Sequence, residues 1–250
     1  MDRVLSEALA RKWPKVFRRS SLPPSQSLLC FGVECGDGWA GIVDAVCEIL
    51  QSRADEQGRD VAAAVQIKEK FGGLRFYADG GDRVDDLVTG VLAAEFSRRV
   101  CEVTGWPGRP CVDAEYRQIH RTLSPAEARR QGYVPLEQRS EHRPLLPALG
   151  LTPEGLRERH ADLLVGQVDV PRGWVDLADA VLAALVDIDD HPIVQVRFVV
   201  EEGGRLLIVT DASDDARVVA AVAWAAAMST RIDRETGVVS MIPSMDKSER

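Results

Sequence analysis

Val33-Glu34-Cys35-Gly36-Asp37-Gly38-Trp39 recurs further along the chain as Val168-Asp169-Val170-Pro171-Arg172-Gly173-Trp174, and this recurrence decides the fold. Asp44-Ala45-Val46 then matches Asp179-Ala180-Val181, Gln66 matches Gln195, Gly72-Gly73 matches Gly203-Gly204, and Thr104-Gly105 matches Thr236-Gly237. Residues 33–105 and 168–237 thus read as one unit written twice, since self-similarity at long spacing marks a repeated structural unit. Differences between the copies point to the one that has kept a polar site.

Each copy reads as β-α-β-β-α-β. A short apolar strand is expected over Leu28 to Val33, followed by a helix from about Trp39. Trp39, Ile42, Val43, Val46, Cys47 and Leu50 fall on one helical stripe, repeated as Trp174, Leu177, Ala178, Val181, Leu182 and Leu185. Gly72-Gly73 supplies the positive φ angles of a two-residue turn, which would pair Phe71 with Leu74, Lys70 with Arg75, Glu69 with Phe76 and Lys68 with Tyr77. Alternation then places Ile67, Glu69, Phe71, Leu74 and Phe76 on one face, and Gln66, Lys68, Lys70, Arg75 and Tyr77 on the other. In the second copy the covered face is expected to hold Val194, Val196, Phe198, Val200, Leu207 and Val209. A second helix is expected from Asp82 to Arg99 and from Asp214 to Arg231, then a short strand at Arg109–Val112 or Val238–Ile242.

This order is that of a ferredoxin-like sandwich, so the expected class is α+β, with two tandem ferredoxin-like units from an internal duplication. A different α+β meander has the same elements. The expected organisation is an N-terminal helix and lead-in (1–27), repeat 1 (28–114), a partly helical connector (115–162) and repeat 2 with a C-terminal tail (163–250). In the connector, Ser124-Pro125-Ala126-Glu127 and Thr152-Pro153-Glu154 carry helix-start signals. Face-to-face packing of the two units would hide Val199 and Ile208.

With 250 residues, 45% hydrophobic and 28% charged, the chain has room for two modest cores. Its net charge of −8 argues against general nucleic-acid binding and would suit a basic partner. Val218 to Met228 is too short an apolar run to cross a bilayer. Met1 to Glu7 lacks the apolar centre of a signal peptide, so a cytoplasmic location is expected. The five cysteines all lie in the first half, which favours reduced thiols.

Lys12-Trp13-Pro14-Lys15-Val16-Phe17, Phe31 to Trp39, Val65 to Tyr77 and Cys101-Glu102-Val103-Thr104-Gly105 resemble an uncharacterised family of small proteins of bacteria and their phages. Tyr116 to Tyr133 is similar to that family's tail. The resemblance covers roughly the first half and implies no established activity. Family members often carry a second cysteine three residues after the first; here that position is Thr104.

Gln66, Lys68, Lys70, Arg75 and Tyr77 form the leading candidate binding face, suited to an acidic or phosphorylated partner, against the alternative of an ordinary solvated sheet. Glu69 is a polar outlier of core-facing parity, expected to pair with Arg98 or Arg99, or else to serve as a general acid. Glu34, Asp37 and Trp39 form a tight loop in which Asp37 or Gly38 would cap the helix; a divalent ion on Glu34 and Asp37 has thin support. Cys101, Cys111 and His120 are weak zinc candidates, since Thr104 removes the Cys-x-x-Cys nucleus. No phosphate loop, nucleophile elbow or metal-binding helix motif is present, so no cofactor is expected.

The first functional expectation is a non-catalytic binding or inhibitory module of the immunity-protein or phage-accessory kind, whose partner would be a protein such as a basic toxin or enzyme. The alternatives are an enzyme acting on an anionic substrate through Glu69, Lys68, Lys70 and Arg75, and a sensor binding a small ligand between the units.

Overall fold

A computed structural model describes residues 1–115, 120–137, 147, 150–186, 188, 194–212 and 214–241. Tyr116 of the family-like tail and Ile242 of the last strand candidate therefore lie outside the described residues. The chain is mixed α+β, and no described helix is long and apolar enough to cross a membrane.

Helix α1 (Arg3–Lys12) precedes a 3-10 turn over Leu28–Phe31, helix α2 (Ala40–Gln57) and the hairpin of β1 (Ala63–Lys70) and β2 (Gly73–Asp79). Helix α3 runs over 83–97 and contains a π segment at Leu87–Leu92. Asp82 and Asp85 close a reciprocal capping box at its start. A small sheet follows, from β3 (Arg109–Asp113), β4 (His120–Leu123) and β5 (Tyr133–Pro135), with α4 (Pro125–Gln131) between its last two strands. Ser124 and Thr152 cap α4 and α5 (Pro153–Arg159), as their sequences predict. The second half continues with β6 (Leu164–Asp169), α6 (Val175–Val186), β7 (Val196–Glu202), β8 (Arg205–Thr210) and α7 (Ala216–Ser229).

The two halves place the same bonds at matched positions. The Trp39 indole donates to the Val100 carbonyl at 2.8 Å, and the Trp174 indole to Ile232 at 3.3 Å. The Leu74 amide donates to Ser97 Oγ and the Leu206 amide to Ser229 Oγ, both at 2.9 Å. The matching extends upstream of the repeat seen in the sequence: Ala64 donates to the Val16 carbonyl as Val196 does to Leu163.

The strand order departs from a ferredoxin-like sheet. There the first strand lies beside the second strand of the hairpin; here β6 pairs in parallel with β7, giving the order β6-β7-β8. The last strand candidates stay out of these sheets. β3 joins the connector strands, and Val239 makes only a single bridge to Ile232. In the first half the strand expected over Leu28 to Val33 is a 3-10 turn capped by Ser27, and only Glu34 bridges β1, at Lys68. The cause is an excursion over 18–32 that the second half lacks, where Leu163 runs straight into β6.

The hairpin register also differs from the expected one. Phe71 (φ +54°) and Gly72 (φ +72°) are the central turn residues, so β1 and β2 pair Lys70 with Gly73, Glu69 with Leu74, Lys68 with Arg75 and Gln66 with Tyr77. Gly203 (φ +58°) and Gly204 (φ +79°) do the same in the second half, which aligns Gly72 with Gly204 and Gly73 with Arg205. The slip moves each partner by two positions, so the faces survive, but Phe71 is exposed rather than covered. In the second half a bulge between Val196 and Phe198 inverts the parity. Val199, Leu206 and Ile208 are buried there, whereas Phe198 is 45% exposed and Val200, Leu207 and Val209 are half-buried. Val199 and Ile208 are therefore covered by their own half, and no face-to-face packing of units is needed to hide them.

The halves join through their helices. β2 packs on α3 and β8 on α7, while α2 crosses to α7 and α6 to α3. Trp39, Trp174, Trp224 and Phe96 are buried in one continuous apolar core spanning residues from both halves. The segments 28–114 and 163–250 thus contribute to one core.

Two buried aspartates organise that joint. Asp44 in α2 accepts from Arg231 (Nη2 2.7 Å), from Lys12 (2.9 Å) and from the Trp13 indole (2.8 Å). Asp179 in α6 accepts from Arg99 Nε (2.9 Å), is paired with Arg159 (2.8 Å), and bonds the His160 ring at 2.8 Å. Arg231 and Arg99 each come from the opposite half. Each aspartate also takes a cation and a ring nitrogen from the helix that opens its own half, so α1 and α5 are counterparts.

Candidate functional site

The hairpin of the first half presents the five predicted residues on one face, because strand alternation sends Gln66, Lys68 and Lys70 to the side where Arg75 and Tyr77 stand opposite them. Lys70 and Tyr77 are exposed; Gln66, Lys68 and Arg75 are half-buried. Lys68 Nζ lies 5.7 Å from the Tyr77 ring centre, in cation–π range, and Lys70 Nζ lies 5.3 Å from that of Phe71. Gln66 donates to Glu34 at 3.2 Å. Among the described residues no carboxylate lies within 4.0 Å of Lys68, Lys70 or Arg75.

Lys68 and Arg75 are direct cross-strand partners, an arrangement in which like charges destabilise a hairpin. The matched pair in the second half is Val200 and Leu207. Gln66, Lys70 and Tyr77 correspond to Phe198, Glu202 and Val209. One backbone thus carries a cationic face in the first half and an apolar one in the second.

Glu69 makes neither predicted ion pair. Its carboxylate accepts from the Gly72 amide at 2.7 Å and so closes the hairpin turn, as Glu201 does for Gly204 at 2.8 Å. Matching Gln66 with Gln195 in the sequence concealed this by setting Glu69 against Phe198. Glu69 also faces away from Lys68, Lys70 and Arg75, so these four do not surround one substrate.

The family-like segments pack against one another beneath the turn. A Cβ on Gly36 would lie 1.9 Å from the Glu102 carbonyl, and one on Gly38 2.2 Å from that of Cys101, so only glycine allows this approach. Gly38 donates to the Glu102 carbonyl, and Thr122 Oγ1 to that of Gly72 at 2.6 Å. Burial raises the pKa of Glu102; Arg121, bound to its Oε1, opposes this, while Oε2 has no hydrogen-bond partner among the described residues. Burial likewise pushes the Cys35 thiol up to about 12, an inert rather than nucleophilic state. Asp37 caps no helix through its side chain; it accepts from the Asp2 amide at 2.6 Å.

The zinc candidates separate. Cys101 and Cys111 lie in a small apolar cluster with Leu123 and Ala128. Cys111 pairs with Arg121 across β3 and β4, whereas His120 pairs with Val112, so alternation sends His120 to the opposite face. Among the described residues no group of three His, Cys, Asp or Glu side chains could hold a metal ion, Glu34 and Asp37 included.

Sequence reasoning named Arg98 only as a partner for Glu69 and Gly73 only as a turn residue, and missed their place beside the cationic face. A Cβ on Gly73 would lie 3.1 Å from Arg75 Nη1 and 3.5 Å from Arg98 Nε, so two guanidinium groups lie over bare backbone beside the cationic face. The available signal was Arg205, the second half's residue at the Gly73 position, hidden by the one-residue misalignment of the glycines. No protein-family model matches the chain, and neither a curated protein nor a solved structure is significantly similar to it.

Proposed function

We propose that this protein is a non-catalytic binding module that occupies an acidic surface of a protein partner with Gln66, Lys68, Lys70, Arg75 and Tyr77. The observation that carries the reading is the Lys68–Arg75 cross-strand pair. It costs hairpin stability, it has no carboxylate partner among the described residues, and the second half does without it. A bound acidic group would offset that repulsion. A basic toxin or enzyme, the partner suggested by the net charge of −8, would be repelled by this face; the patch it meets on the partner is acidic. The same proposal treats the halves as copies of one ancestral unit, the first being a relative of the bacterial and phage family it resembles, with action in the cytoplasm as an immunity or accessory protein. Support comes from the matched indole, serine and arginine contacts, although the strand order is not ferredoxin-like.

The test compares the native chain with the Lys68→Val/Arg75→Leu variant, which installs the second half's residues. Extracts of the native host are captured on each and the bound proteins quantified, with circular dichroism as the folding control. An acidic partner held by the native chain, released by added salt and lost from the variant is the expected result. Equal capture by both proteins, or capture by neither, refutes the reading.

A further inference from the structure

We infer that Arg75, Arg98 and Lys70, gathered around Gly73, form a phosphate subsite that receives a phosphorylated side chain of a polypeptide. This rests on the binding reading above and specifies its ligand. Arg75 Nη1 and Arg98 Nε lie 3.1 and 3.5 Å from the point a Gly73 Cβ would occupy, close enough together for one tetrahedral oxyanion to meet both. Lys70 is Gly73's partner across the hairpin and brings a third cation to the same end of the face. Arg75 has no carboxylate within 4.0 Å among the described residues. Among the described residues Arg98 has only the Glu95 carboxylate, at 3.9 Å, and that carboxylate lies nearer Arg99, at 3.4 Å.

The charge count selects the ligand. Three cations against one shared carboxylate leave an excess that a carboxylate side chain half-neutralises, whereas a phosphate monoester brings about −1.5 to −2 and three acceptor oxygens. Guanidinium groups suit those oxygens through paired N–H donors. The second half supplies an internal contrast, because Arg205, Leu207, Thr230 and Glu202 stand where the first has Gly73, Arg75, Arg98 and Lys70. There the bare backbone is filled, two of the cations are gone and the third is reversed in sign.

The test titrates the full chain with inorganic phosphate, a phosphoserine peptide flanked by glycines, the same peptide with glutamate in place of phosphoserine, and a short oligothymidylate. The Arg75 and Arg98 side-chain Nε–H signals are followed by NMR. Saturable shifts of both signals are expected with phosphate and the phosphopeptide, with the glutamate peptide at least about tenfold weaker. Arg75→Leu and Arg98→Thr should each weaken phosphopeptide binding by about tenfold or more, while Arg205→Leu leaves it unchanged. Absence of saturation, equal binding of glutamate and phosphoserine, or tighter binding of the oligothymidylate overturns the inference. If it is overturned while Lys68→Val/Arg75→Leu still abolishes capture of an acidic protein, the phosphate subsite falls and the binding module stands.

Discussion

Arg231 crosses from the second half to grip Asp44 in the first, with Nε at 2.8 Å and Nη2 at 2.7 Å from the same carboxylate oxygen. The Arg99–Asp179 pair repeats this contact in the opposite direction. Both aspartates are buried. At Asp179, burial works to raise the pKa, but the His160 bond and the charges of Arg99 and Arg159 hold the carboxyl well below the usual range. A carboxylate this enclosed is tolerated only because its partners are fixed around it.

Breaking one pair should therefore weaken both halves together. Asp44→Asn leaves Arg231 and Lys12 without their counter-charge and is expected to lose about 3–5 kcal/mol, a figure typical of removing one partner of a buried pair. Thermal unfolding should stay a single transition at lower temperature. Two separated transitions would show that the halves do not depend on each other.

The matched serines give a second expectation. Ser97→Ala strands the buried Leu74 amide and Ser229→Ala the Leu206 amide, so each should cost about 1–3 kcal/mol in urea unfolding. A loss at one site and none at the other would deny that the two bonds are equivalent.

Asp176 links stability to pH. Burial, the largest effect, lifts its pKa to about 6 despite nearby Arg99, with Asp179 adding to the rise. Because the folded pKa exceeds the unfolded one, the fold favours the protonated acid; that stabilisation is complete below about pH 4 and lost as pH rises through about 6. Asp176→Asn should thus be the more stable protein at pH 7–8, by up to about 3 kcal/mol, with the gap closing towards pH 4. Urea titrations across this range check it, and a gap of constant size would refute the assignment.

Phe71 sits at φ +54°, where a side chain is strained. Phe71→Gly should stabilise the hairpin by up to about 1 kcal/mol, the strain relief outweighing the added chain entropy. Gly72→Ala, at φ +72°, should destabilise it. A marked loss of stability in Phe71→Gly would mean that the exposed ring holds the turn through contacts.

The sequence by itself determined the class, the helix stripes from Trp39 and Trp174, the caps at Ser124 and Thr152, and which residues share the charged face. These follow from local periodicity, which a period of two or of 3.6 residues carries without reference to the rest of the chain. Tertiary structure decided what local pattern leaves open. Whether Phe71-Gly72 or Gly72-Gly73 turns the hairpin depended on Glu69 meeting the Gly72 amide and on the fit against Thr122. The bulge after Val196 reversed which valines are buried, because one extra residue inverts all later alternation. The partners of Arg99 and Arg231, and the matching contacts of α1 and α5, lie between residues far apart in the chain. The convergence of Arg75 and Arg98 over Gly73 arises likewise, from a strand and a helix end that only the packed fold brings together.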